Sequence, residues 1–97
     1  MRFARPADGF EIRLAPTVAK LIAAASEVNP AFRRFWGDIE ERLKFTAHRE
    51  GVPEPRLGNG FRLLVSDGAP TENRPRVVIG YLVLGDAVNV TLLRIGN

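Results

Sequence analysis

The sequence predicts an α+β domain in the order β-α-α-β-β-β, a helical hairpin packed on one face of a mainly antiparallel sheet. Three observations carry this. Residues near both ends of the chain alternate in pairs, as half-buried strands do. Between them, apolar residues recur at spacings of three and four, as on helices that bury one side. Finally, 97 residues that are 45% hydrophobic and 26% charged make a single domain with one core.

Phe10, Ile12 and Leu14 alternate with Glu11 and Arg13 in the first strand. Pro16 then stands at the first position of a helix, where its missing N–H loses no bond. From Pro16 to Val28, the residues Val18, Leu21, Ile22, Ala25 and Val28 form one apolar stripe. Asn29-Pro30 closes this helix and opens the next, with Asn29 as its N-cap. The second helix carries Phe32, Phe35, Trp36, Ile39, Leu43 and Ala47 on its apolar side. These aromatics read as core first and as a docking surface second. Asp38–Arg42 and Glu40–Lys44 are i,i+4 pairs on the wet side. Lys44, His48 and Arg49 crowd the last turns, where positive charge suits the helix dipole, and Gly51 with Pro53 ends the helix.

Phe61, Leu63 and Val65 alternate with Arg62, Leu64 and Ser66, which places Phe61 and Leu63 inward and Arg62 on the opposite face. Asp67 to Pro75 is a loop. Arg76 to Leu84 is apolar on both faces and rich in β-branched residues, so it is a central strand. Gly80 within it marks a bulge or a close backbone approach. Gly85-Asp86 is a two-residue hairpin turn, and Val88 to Ile95 returns as the last strand.

Composition narrows the function classes. No apolar run approaches the roughly 20 residues of a membrane span. The opening MRFARPADGF lacks the apolar core of a signal peptide, so the expected location is cytoplasmic. Without cysteine there is no disulfide frame and no thiolate metal site. His48 is the single histidine, so a multi-histidine metal centre within one chain is excluded and no cofactor is expected. The net charge of +3 comes from 12 Arg and two Lys set against 11 acidic residues. That balance falls well short of a nucleic-acid-binding tail.

Four short blocks follow this element order. They are Phe10-Glu11-Ile12-Arg13-Leu14-Ala15-Pro16, Pro55-Arg56-Leu57 through Gly60-Phe61-Arg62-Leu63, Arg76-Val77-Val78-Ile79, and Leu92 to Gly96. In order and character they resemble the RelE/ParE toxin superfamily of bacterial toxin–antitoxin pairs, and the resemblance spans residues 1–97 as one domain. It implies a toxin that inhibits growth by ribosome-dependent mRNA cleavage or by poisoning DNA gyrase. It also implies a cognate antitoxin as partner, in a homodimer or a toxin–antitoxin hetero-oligomer. The chain departs from the pattern in two ways. Its Asp67–Pro75 connection is longer, and it stops at Asn97, where the family continues with Arg or His and often Tyr. Leu64 also stands where a further Lys or Arg is often found.

Metal-free RNA cleavage needs a base for the 2′-hydroxyl, cations for the crowded phosphorane and an acid for the leaving oxygen. Under the resemblance, Arg62 and Arg76 supply the cations. Arginine stabilises charge well but, with a pKa above about 12, shuttles protons poorly. His48, Tyr81 and Glu50 are the acid–base candidates, with His48 and Tyr81 completing the candidate catalytic residues beside the two arginines. His48 reads first as a residue on the helix dipole, and Tyr81 as a sheet aromatic with its hydroxyl at the rim. Arg13, Arg56 and Arg94 are candidates for binding a partner or a phosphate. If Arg13, Arg62, Arg76 and Arg94 converge on the open face, a phosphate or acidic-peptide site follows. The gyrase-binding branch and a non-catalytic, degenerate protein-binding domain remain beside the nuclease, since fold alone does not fix function.

Overall fold

The computed structural model describes residues 9–69, 71 and 74–96; residues 1–8, part of the 67–75 connection and residue 97 lie outside them. Strand β1 (Glu11–Leu14) leads directly into helix α1 (Pro16–Val28), with Pro16 in the first turn. Ala15 offers no side-chain cap, and its N–H is bonded instead to Val90 O at 2.9 Å, fastening the helix start to the sheet. Asn29 serves both helices. Its N–H closes α1 on Ala25 O at 3.0 Å, and its Oδ1 accepts from Ala31 N at 3.1 Å to open α2 (Pro30–Thr46).

The remaining elements are β2 (Val52–Pro53), a 3₁₀ turn (Pro55–Leu57), β3 (Phe61–Ser66), β4 (Val77–Leu84) and β5 (Ala87–Ile95). They form a five-stranded sheet in the order β1-β5-β4-β3-β2. Only the β1–β5 pairing is parallel. The α+β architecture is therefore the expected one, two helices on a mostly antiparallel sheet. The short β2 is an addition: the segment that ends the helix pairs Val52 with Leu63 and Pro53 with Arg62 before the chain turns. Among the described residues, no helix is long and apolar enough to cross a membrane.

The core lies between the helices and one face of the sheet. Phe32, Phe35, Trp36, Ile39 and Leu43 of α2 are buried, so the aromatic cluster is core and not a docking surface. They meet Val77, Ile79 and Tyr81 of β4 and Val88, Val90 and Leu93 of β5. The buried residues of β5 jump from 90 to 93 because of a bulge: Gly80 pairs with Leu92 while Tyr81 pairs with Val90. The extra residue, Thr91, restores the helix-facing side for Leu93 and Ile95.

One expected orientation is reversed. In β3 it is Leu64 that is buried, and Phe61, Leu63 and Val65 turn to the sheet's other face. Register decides this, since Leu64 lies opposite the buried Ile79 and Arg62 opposite the buried Tyr81. A one-residue change in phase moves every side chain to the other face. With Leu63, Leu64 and Val65 in succession, alternation alone does not set the phase.

Candidate protein interface

Arg62 and Tyr81 therefore lie side by side beneath the end of α2. The Tyr81 side chain is completely buried, and its hydroxyl lies 2.8 Å from both Ala47 O and Glu50 O. One proton serves two carbonyls, so the hydroxyl donates to one at a time. Arg62 Nε donates to Glu50 O at 2.7 Å, and an Nη donates to Gly51 O at 3.2 Å. Ala47 is the C-cap of α2 and Glu50 and Gly51 lie in the turn beyond it, so two side chains of the sheet supply donors to the carbonyls by which the chain leaves the helix. Gly51 completes the turn at φ 66°, where an added Cβ would run into the Leu63 carbonyl.

This latch uses up the chemistry expected of its members. Burial pushes the Tyr81 hydroxyl above its ordinary 10.0, and the neighbouring Arg62 only partly opposes it. Tyr81 is thus an internal tie and not an aromatic at the rim. Register puts Arg62 on the helix side of the sheet, and the Glu50 and Gly51 carbonyls hold its guanidinium there. The Glu50 carboxylate accepts from Arg42 and lies 2.7 Å from both Arg42 Nη2 and Thr46 Oγ1. The Arg42 bond, chiefly, holds it below the usual carboxylate range. Arg42, expected to partner Asp38, thus ties the last turn of α2 to the chain beyond it.

The other candidates lie elsewhere. His48 is exposed just past α2, its ring 6.2 Å from that of Phe10. Arg76, one residue before β4, is exposed with Nε 3.7 Å from Asp67 Oδ1. Arg13 lies on edge strand β1 and bonds Glu11 at 3.1 Å. Arg56, within the 3₁₀ turn, is held at 2.8 Å by Glu54, the residue that caps it. Arg94, on β5 opposite Val78, is exposed. Strand alternation assigns Arg13 and Arg94 to the open face, carries Arg76 to its lower margin, and leaves Arg62 on the other side. The four arginines do not converge.

What occupies the centre of the open face is apolar. Strand β3 presents Phe61, Leu63 and Val65 there, and β4 presents Val78, Leu82 and Leu84. Leu92 continues the patch onto β5 and Val52 onto β2. Val52, Val65 and Leu84 are 62%, 46% and 56% exposed. The Phe61 ring lies across Gly80, where a Cβ would come within 2.7 Å of it. Gly80 is thus both beside the bulge and under a close approach. The sequence signal for this face was the apolar character of β4 on both sides, together with the unbroken Leu63-Leu64-Val65 run. A second concavity, a groove of about 390 Å³ between β1 and α2, is bordered by Glu11, Glu40, Glu41 and Lys44.

Comparison of the chain with protein-family models, with curated proteins and with solved structures gives no match.

Proposed function

We propose that this chain is a toxin-type domain that inhibits growth in the cytoplasm by occupying a protein target, and is neutralised by a cognate antitoxin. The observation that carries this reading is the character of the open face, apolar across β3 and β4, with Arg94 beside the patch on β5 and Arg13 and Arg76 at its edges. A phosphate backbone is held by charge and hydrogen-bond donors, whereas an apolar centre with a polar rim is the anatomy of a protein interface. The element order and the strand positions of the four blocks support the RelE/ParE resemblance. The commitment of Arg62 and Tyr81 to the end of α2 favours its gyrase-binding branch over messenger cleavage.

The test is growth after induction of this chain, alone and together with the neighbouring reading frame. The reading expects arrest that the neighbour relieves, with trapped gyrase–DNA complexes and no messenger cleavage. Harmless expression would sink the toxin reading and leave a binding domain that shares only the architecture. Ribosome-dependent cleavage sensitive to Arg76→Ala would restore the nuclease.

A further inference from the structure

We propose that the outer edge of β1, with the groove between it and α2, receives an extended basic segment of a partner protein as a sixth strand. The proposal goes beyond the functional reading and uses a different surface, so the open face stays with the target. Strand β1 ends the sheet, and its bonds to β5 leave from alternate residues. Glu11 N–H reaches Asp86 O at 2.8 Å, and Ala15 N–H reaches Val90 O at 2.9 Å. The residues between turn their peptide groups outward. Phe10 N–H is met there by Lys44 O at 2.7 Å. One step further along the edge, Ile12 N–H and C=O have no backbone partner among the described residues. The opposite edge is poorly suited to addition, because β2 is two residues long and Pro53 has no N–H to give.

The groove has the length of a short strand and a glycine in its wall that packing does not explain. Gly37, Glu40, Glu41 and Lys44 stand at helical spacings on one side of α2 and face Glu11 and Ile12 across about 390 Å³. That stretch of helix rises about 10 Å, the length of about three residues of strand. Glycine weakens a helix interior more than any residue except proline. No atom lies within 4 Å of the point where a Gly37 Cβ would sit, so contacts among the described residues do not require a glycine there. In the wall of a groove beside an open strand edge, the missing side chain lets a second backbone come close.

Charge selects the occupant. The Lys44 ammonium stands over the Phe45 ring, 5.5 Å from its centroid, and no ion pair among the described residues includes Glu40 or Glu41. Glu11 is matched by Arg13 at 3.1 Å. Counting Arg13 and Lys44 against Glu11, Glu40 and Glu41, the border is net acidic. An incoming strand turns alternate side chains toward the helices, where Arg or Lys meets the two free carboxylates. Main-chain bonds to Ile12 supply the addition, and the glutamates supply the preference for a basic sequence.

Amide NMR of the full chain, titrated with a short peptide alternating Arg with Val and with its Glu-for-Arg counterpart, tests this. The expected result is binding of the Arg peptide, with shifts concentrated at Ile12, Gly37, Glu40 and Glu41 and slowed exchange of the Ile12 N–H. The Glu peptide should bind at least about tenfold more weakly. Gly37→Leu fills the groove from a position with open space around it. It should raise Tm by a few degrees and still weaken the Arg peptide at least about tenfold, a combination that damage to the fold does not give. Glu40→Lys/Glu41→Lys should reverse the preference between the two peptides. No binding of the Arg peptide up to about 1 mM overturns the proposal. So do equal binding of both peptides, indifference to Gly37→Leu, or shifts confined to Val65, Val78 and Leu82 of the open face. An Ile12 N–H already protected before peptide is added also overturns it, because a second copy or another part of this chain then covers the edge. Growth arrest relieved by the neighbouring frame is independent of this readout, so the functional reading and the strand addition fail separately.

Discussion

Replacing Tyr81 by Phe removes one oxygen from a completely buried site and leaves the ring's packing in place. That oxygen's proton is shared between Ala47 O and Glu50 O, each 2.8 Å away. Glu50 O keeps the Arg62 Nε donor at 2.7 Å, so Ala47 O bears most of the loss. Losing one net hydrogen bond and leaving one buried carbonyl under-satisfied costs about 1–2 kcal/mol. For a domain of this length each kcal/mol lowers Tm by roughly 4–8 °C, so the variant should melt about 4–16 °C below the parent. Calorimetry or circular dichroism at neutral pH reads this directly. Alkaline titration gives a second, independent sign. The folded Tyr81 pKa lies above its ordinary 10.0. Its contribution is therefore complete below pH 10 and is lost as pH rises toward the folded value. The parent should lose stability there faster than Tyr81→Phe does. A Tm within about 2 °C of the parent would refute the reasoning, because the hydroxyl would then be dispensable to the fold and free for other work.

Arg62→Met should cost about 1.5–3 kcal/mol, since it removes a charged donor from two carbonyls. A double-mutant cycle with Tyr81→Phe should show at least about 0.5 kcal/mol of coupling through the shared Glu50 O, read from urea denaturation. The Glu50 carboxylate, held below its ordinary 4.5 by Arg42 and Thr46, contributes stability that is present above pH 4.5 and lost as pH falls through the folded value. Glu50→Gln should accordingly flatten the acid limb of the Tm–pH curve. Gly80→Ala should destabilise by about 1–3 kcal/mol in thermal melts, because the new methyl displaces the Phe61 ring and crowds Leu92 Cβ at 3.0 Å. His48→Ala, at an exposed position, should stay within about 0.5 kcal/mol of the parent in the same melts.

The sequence made the helices most legible, for physical reasons. Pro16 and Asn29-Pro30 start each helix by removing or capping orphan N–H groups, and the stripe from Phe32 to Leu43 has one buried side only. Strand order was partly legible through the hairpin turn and the two-faced β4. The facing of β3 was not, because its inward side is fixed by its register against β4, set across a long connection that shows no turn signature, and its apolar run suits either phase. That single ambiguity carried Arg62 with it. An arginine in a strand reads as solvated until the carbonyls of a turn, themselves invisible in a pattern of residue types, are brought within reach. Tyr81 was misplaced for the same reason: its rim was inferred from its chemistry, and its partners come from residues 47 and 50. The apolar open face is the complement of this error. Once Leu64 is inside, Phe61, Leu63 and Val65 are outside.

A reconstituted translation system distinguishes the proposed protein contact from cutting of messenger. The purified chain is added to programmed ribosomes, and the message is followed by primer extension, with an Arg76→Ala variant in parallel. Action through protein contact leaves the message intact at every concentration, identically for parent and variant. New 3′ ends that appear with the parent and vanish with Arg76→Ala would contradict it.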